Sequence, residues 1–157
     1  MIPRKISFVV AACLSLAALS GCGKSSSGGS VPGADVASMN KGSKTTKLGK
    51  TLGNLTKDDL VEGLKKAGFV NPTSSTSTSP GVNTTAAYGK KGDVGVSLVL
   101  SAWDNAKTRT TMLEGKKKDP NVAVFDDGDF YIVMEAKEKD KPSGPKSKEL
   151  LAQIVGP

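Results

Sequence analysis

The stretch that decides the fold is VGVSLVLSAW, residues 94–103. Apolar residues alternate with small or polar ones along it, and only Val99 interrupts the polar face. This alternation is typical of a β-strand that buries one face and leaves the other toward solvent. Residues 82–88 form an earlier strand-like run, and Gly-Lys-Lys-Gly at 89–92 supplies a turn between the two. The sequence therefore predicts an antiparallel hairpin, with Trp103 on the face away from the core.

A second hairpin is predicted further along the chain, from residues 122–125 and 130–136. The residues between these runs are Asp-Asp-Gly-Asp, and Asp-Gly favours a short hairpin turn because glycine accepts positive φ. By contrast, the run between Pro72 and Pro80 consists of serine and threonine, and we expect a low-complexity loop there.

Three helices are predicted around these hairpins. Thr56 followed by Asp59 resembles a capping box, and Gly68 ends the first helix. The second helix begins with Asp104 as its N-cap and ends in three lysines at residues 116–118, while the third covers residues 145–155. The predicted fold is therefore α+β, in the order α-β-β-α-β-β-α. We expect one small domain over residues 55–157, with a four-stranded antiparallel sheet and its helices on one face.

The N-terminus has a different pattern. Arg4 and Lys5 precede an uncharged apolar run at residues 6–19, which is as long as a signal-peptide core and too short to span a bilayer. Leu19-Ser20-Gly21-Cys22 follows and resembles the lipobox of bacterial membrane lipoproteins. The resemblance covers only these 22 residues. It implies cleavage before Cys22, a covalent lipid on that cysteine and a membrane anchor. An ordinary secretory signal fits less well, because Leu19 is large where a small residue is preferred.

Residues 22–54 join this anchor to the predicted domain and begin with a run rich in glycine and serine. That composition predicts a flexible tether. Five lysines stand against one aspartate in residues 23–54, and those at 41, 44, 47 and 50 recur every third residue. We weigh attraction to an anionic surface against simple solubility, and favour solubility. Residues 55–157 carry 15 basic and 14 acidic side chains, so the net charge of +7 does not indicate nucleic-acid binding.

Two absences limit the chemistry. The chain has no histidine, and its two cysteines are Cys13 in the leader and Cys22. Histidine-based catalysis and the usual zinc ligand sets are therefore excluded for the mature domain. We predict no enzyme activity, no metal and no cofactor apart from the covalent lipid.

Several acidic residues and one Gly-Lys-Thr motif are candidates for metal binding, catalysis or phosphate binding. Asp126, Asp127 and Asp129 are hard oxygen ligands of the kind that calcium prefers, but a turn explains them without a metal. Two acidic pairs, Asp58 with Asp59 and Glu135 with Glu138, lack the surrounding material of a sugar-cleaving cleft. Gly-Lys-Thr at residues 49–51 lacks the earlier glycine of a phosphate-binding loop.

Aromatic residues are the remaining candidates for binding. Trp103 ends the best strand, and tryptophan often anchors interfaces, with Tyr88 and Tyr131 as possible companions. The alternative is that Trp103 packs under a neighbouring loop or the last helix, which is the more common role of such a residue. The sequence thus supports a non-catalytic envelope module that binds a protein or a wall polymer. A carrier of small apolar ligands is the alternative. Because Gly23 is not the aspartate that retains lipoproteins at the inner membrane, we expect the periplasmic side of an outer membrane. In a single-membrane source, the domain would face outward from the cell.

Overall fold

The computed structural model describes residues 35–156; Leu19, Ser20, Gly21 and Cys22 lie outside this range. A 3-10 turn at Leu52–Asn54 precedes three helices and six strands. These elements are α1 (Lys57–Lys66), β1 (Val70–Ser79), β2 (Val82–Lys91), β3 (Val94–Trp103), α2 (Ala106–Lys118), β4 (Val122–Asp127), β5 (Phe130–Glu138), β6 (Lys141–Pro142) and α3 (Gly144–Ile154). The strands form one antiparallel sheet in the order β1-β2-β3-β5-β4, and β6 pairs with β5.

The prediction of a four-stranded sheet in an α-β-β-α-β-β-α order is wrong, because β1 and β6 were not foreseen. β1 is the serine- and threonine-rich run that composition assigned to a loop. It pairs with β2 as an edge strand, and backbone hydrogen bonds to one neighbour do not require apolar side chains. Pro72 lies where the register shifts between Val70 and Thr73, a position at which a strand tolerates proline.

The prediction that all helices lie on one face of the sheet is also wrong. α1 and α3 cover one face, here called the core face, where they pack against Leu98, Ile132 and Met134. Strand residues alternate between faces, so Val99, Tyr131 and Val133 point to the opposite side, here called the second face. Leu113 of α2 packs there against Tyr131 and Val133. α2 therefore covers the β4 side of the second face.

Residues 40–54, which the sequence assigned to a tether, pack against the folded part. Leu52 is fully buried in the main core, and Thr46 is buried as well. The Lys47 amide donates to the Val155 carbonyl at 3.2 Å, and Lys47 Nζ donates to the Ala152 carbonyl at 2.7 Å, near the end of α3. A cation at a helix C-terminus is stabilising, so this lysine contributes to the fold.

The start and end of α1 follow the predicted signals. The Asp59 amide donates to the Thr56 side chain, and the Asp59 carboxylate accepts from the Thr56 amide, which confirms the capping box. Gly68 adopts φ +86° just beyond the helix, and the amide of the next residue, Phe69, donates to the Leu64 carbonyl. These bonds make a Schellman-type end. For α2, the N-cap is Asn105 rather than Asp104.

Ser147 bonds to the β5 backbone between β4 and β6, on the side of β5 opposite β3. Its side chain is fully buried. The hydroxyl accepts the Ala136 amide at 2.9 Å and faces the carbonyls of Asn121 and Ser143, each at 2.8 Å. The Ala136 amide lies between the two short strands, so this hydroxyl supplies the partner that a missing strand residue would have provided.

Candidate functional site

The structure brings Trp103 and Tyr131 together and leaves Tyr88 apart. Trp103 Nε1 donates to the Tyr131 hydroxyl at 3.0 Å, and Tyr131 is only 3% exposed. Trp103 is half-buried beside the cluster formed with Leu113. This pair therefore helps to hold α2 on the second face, with Tyr131 buried and Trp103 partly accessible. Tyr88 is 44% exposed and remains the aromatic candidate for binding.

Tyr88 lies at one end of a row of side chains that crosses three strands on the second face. Its register partner on β3 is Ser97, and the partner of Ser97 on β5 is Glu135. The neighbouring row consists of Lys90, Gly95 and Lys137 in the same register. The two rows together line a groove of about 390 Å³, here called the Tyr88 groove.

Gly95 gives this groove its depth. A Cβ placed on Gly95 would meet no atom within 4 Å, so the space above the backbone is open. The lysines of its row stand on either side and are exposed. A ligand can therefore approach the β3 backbone between two cations and lie beside the tyrosine ring.

Two charged side chains of the groove form only a weak ion pair with each other. Lys137 Nζ lies 3.7 Å from a Glu135 carboxylate oxygen, and both side chains are about half exposed. An exposed pair of this kind contributes little stability, so both groups can exchange partners at low cost. The groove thus offers cationic donors, one carboxylate acceptor, the hydroxyls of Ser97 and Tyr88, and one aromatic ring.

A smaller hollow of about 130 Å³ continues the groove toward α2. It shares Ser97 and Glu135 with the Tyr88 groove and is bounded by Lys116 of α2. Val99, Tyr131 and Val133 supply its apolar surface. The accessible part of the second face therefore runs from Tyr88 to the last turn of α2.

The aspartates of the β4–β5 turn bind the chain itself. Asp127 Oδ2 accepts the amides of Ser43 and Lys44, both at 2.6 Å, and Asp129 Oδ2 accepts the Asn40 amide at 2.8 Å. Asp126 instead lies 3.4 Å from Lys117. Among residues 35–156, no group of three or more potential metal-ligating side chains is found. Asp127 and Asp129 therefore have a structural role, which is to hold residues 40–44 against the β4–β5 turn.

The acidic pairs considered for catalysis do not converge. Glu135 and Glu138 are three residues apart on β5, so their side chains point to opposite faces, and Glu138 accepts a hydrogen bond from Ser143. Asp59 is occupied by the cap of α1 and by Lys50, at 2.8 Å. Burial raises the pKa of Asp59, but hydrogen bonds from Lys50 and Thr56 outweigh it and leave the pKa below its usual value. Neither pair forms two carboxyls facing across a cleft.

Sequence reasoning missed the residues that shape the Tyr88 groove. Gly95 stood out only as a small residue in an alternating strand, and Glu135 only as half of an acidic pair. The register across β2, β3 and β5 places them together, and this register could not be read without knowing that β3 pairs with β5.

Comparison of the chain with models of known protein families, with curated proteins and with solved structures gave no match. Within residues 35–156, no helix is long and apolar enough to cross a membrane.

Proposed function

We propose that the protein is a lipid-anchored cell-envelope protein that acts by binding, and that the Tyr88 groove receives a wall polymer. The observation that carries the proposal is the row of an exposed tyrosine, a serine and a glutamate beside two lysines that flank a glycine. The lipobox-like sequence ending at Cys22 supports the anchor.

The groove suits a polymer that combines sugar rings with acidic groups. A sugar ring has an apolar face that can lie on the Tyr88 ring, while Ser97 and Glu135 can exchange hydrogen bonds with its hydroxyls. Lys90 and Lys137 would face carboxylates or phosphates of the same polymer. Glu135 is the one carboxylate among the residues that line the groove, whereas glycoside hydrolysis uses two. The proposed role is therefore binding without cleavage.

The anchor would keep the domain near its membrane. Residues 23–35 separate Cys22 from Val36, which packs against the main core. Fully extended, this segment would reach at most about 50 Å. We propose the periplasmic side of an outer membrane as the location, or the outer face of the cell membrane where the source has a single membrane.

A carrier of small apolar ligands is the second candidate. Two grooves, of about 360 and 390 Å³, fall within the size range of ligand sites. Both open at the surface, however, and Leu60, Leu98 and Ile132 are fully buried in a packed core. A carrier of apolar ligands requires an enclosed apolar cavity. Because both grooves are open, they favour binding at the protein surface instead.

The test is co-sedimentation of the full chain, in mild detergent, with purified insoluble wall polymer. We expect Tyr88→Ala to weaken binding about tenfold or more, which corresponds to about 1.4 kcal/mol. Met112→Ala is the matched control, because Met112 is 42% exposed but lies on α2. Equal binding by the wild type and Tyr88→Ala would overturn the assignment. Capture of a protein partner without polymer binding would also overturn it.

The anchor is tested separately by labelling cells with radioactive palmitate. The wild type should incorporate the label and Cys22→Ala should not, since lipidation requires that thiol. Equal labelling of the two proteins, or no label in either, contradicts the anchor, whatever the result for the polymer.

A further inference from the structure

The outer edge of β4 forms a second groove, separate from the Tyr88 groove. Its volume is about 360 Å³. It is lined by four successive strand residues (Val122, Ala123, Val124 and Phe125), by Lys117 of α2, and by Lys148, Leu151 and Ala152 of α3, with Gly156 beyond. α2 and α3 lie on opposite faces of the sheet, so this β4-edge groove runs along the free edge of the strand between two helical walls.

The register identifies which backbone groups face the groove. Asp127 and Phe130 close the β4–β5 hairpin across a two-residue turn, so they form a hydrogen-bonded pair. Bonded and non-bonded pairs alternate in an antiparallel ladder, so the amides and carbonyls of Val124 and Asp126 point away from β5. β4 ends the strand order, which leaves these groups available to an added strand.

The walls supply the side-chain chemistry. Val124, Phe125 and Leu151 provide apolar surface for the side chains of an extended chain. Lys117 and Lys148 place a cation on each side, one from each helix. Lys117 also lies 3.4 Å from Asp126 and 3.8 Å from Glu114, but these exposed contacts are weak and can be exchanged.

We propose that the β4-edge groove binds an extended acidic peptide segment of a partner protein, which adds to β4 as a further strand. The backbone of the peptide pairs with Val124 and Asp126. Alternate side chains fill the apolar floor, and carboxylates pair with Lys117 and Lys148. This is the strand-addition mode of peptide recognition, in which main-chain bonds provide affinity and flanking pockets provide specificity.

Charge decides between this occupant and a second copy of the chain. Pairing two β4 edges would bring four lysines together, two from each copy, which opposes association. The other free edge, β1, carries uncharged serine and threonine and has no comparable groove among those found in residues 35–156. An acidic peptide therefore matches the β4 edge and not the β1 edge.

The experiment uses the full chain in detergent and a capped synthetic peptide of alternating glutamate and valine. Affinity is measured by fluorescence anisotropy, and backbone protection by hydrogen exchange. We expect the peptide to slow exchange of the Val124 and Asp126 amides. Lys117→Glu and Lys148→Glu should each weaken binding about tenfold, whereas Lys57→Glu on α1 makes the same charge change and should leave affinity unchanged.

Three results would overturn the proposal. The first is equal binding of a peptide methylated on alternate backbone nitrogens, because strand addition needs those donors. The second is equal binding of a peptide with lysine in place of glutamate. The third is protection of Val124 without peptide in a concentration-dependent dimer, which would identify a second copy as the occupant. Tyr88→Ala should not change peptide affinity, so this test is independent of the proposed polymer site.

Discussion

Replacing Asp127 with alanine should loosen residues 41–45 on the folded part while leaving the sheet and the contacts of Lys47 with α3 intact. Asp127 Oδ2 accepts two backbone amides, from Ser43 and Lys44, each at 2.6 Å. Alanine removes both acceptors at once. Leu52 lies beyond this clasp in the main core, so the chain should stay attached there.

The magnitude follows from those two bonds. A hydrogen bond to a charged group contributes about 1.5–3 kcal/mol, and the lower part of that range applies because the Asp127 site is partly exposed. We therefore expect about 3 kcal/mol for undocking, which raises the undocked population roughly 150-fold. The free energy of global unfolding should fall by no more than the free energy of docking, because a chain that is undocked but otherwise folded no longer depends on these two bonds.

Limited trypsin digestion measures this population, because undocking exposes the bond after Lys44. We expect Asp127→Ala to be cleaved there much faster than the wild type, with fragments identified by mass spectrometry. Asp126→Ala is the matched control, since the Asp126 carboxylate lies 3.4 Å from the exposed Lys117 and not against residues 40–44. Equal cleavage rates for the two variants would refute the clasp.

Three further outcomes concern stability, measured by urea unfolding. Ser147→Ala should lower the free energy of unfolding by about 2–3 kcal/mol, because a buried amide and a carbonyl lose their partner. Ser75→Ala, at an exposed position of β1, should cost less than about 0.5 kcal/mol, and equal costs for the two variants would contradict the role of Ser147. Asp59 has a lowered pKa when folded, so its stabilisation is complete above the unfolded value near 3.8 and is lost as the pH falls. The free energy of unfolding of Asp59→Asn should therefore fall less steeply than that of the wild type as the pH is lowered from about 5 to about 3. Identical pH profiles for the two proteins would contradict this role of Asp59. Lys139 and Asp140 adopt φ of 50° and 64° in the β5–β6 turn, so the double change Lys139→Asn and Asp140→Gly should stabilise by about 1 kcal/mol; a destabilised variant would disprove this reading of the turn.

Local signals predicted much of the secondary structure. The capping box at Thr56, the glycine at 68 and the alternation in residues 94–103 each act over a few residues, and the helix and strand formed where they indicated. The same reasoning failed for β1, because an edge strand is held by its backbone and needs no apolar period. Composition alone could not separate a serine-rich strand from a serine-rich loop.

Long-range pairing determined what the sequence could not predict. The role of Asp127 depends on bonds to residues more than 80 positions earlier in the chain. Trp103 was named as a possible binding residue, although a lone tryptophan more often packs under a neighbouring element, and the structure pairs its indole with Tyr131, 28 residues away. The lysines at 44, 47 and 50 looked like solvated charges of a tether, whereas Lys47 binds the end of α3 and Lys50 pairs with Asp59.

Binding of a wall polymer at the Tyr88 groove is tested most directly by amide NMR shifts of the full chain on addition of soluble polymer fragments. We predict shifts concentrated at Tyr88, Gly95, Ser97 and Glu135, with Met112 on α2 unaffected. Shifts confined to other surfaces, or none at fragment concentrations that saturate the insoluble polymer assay, would contradict it.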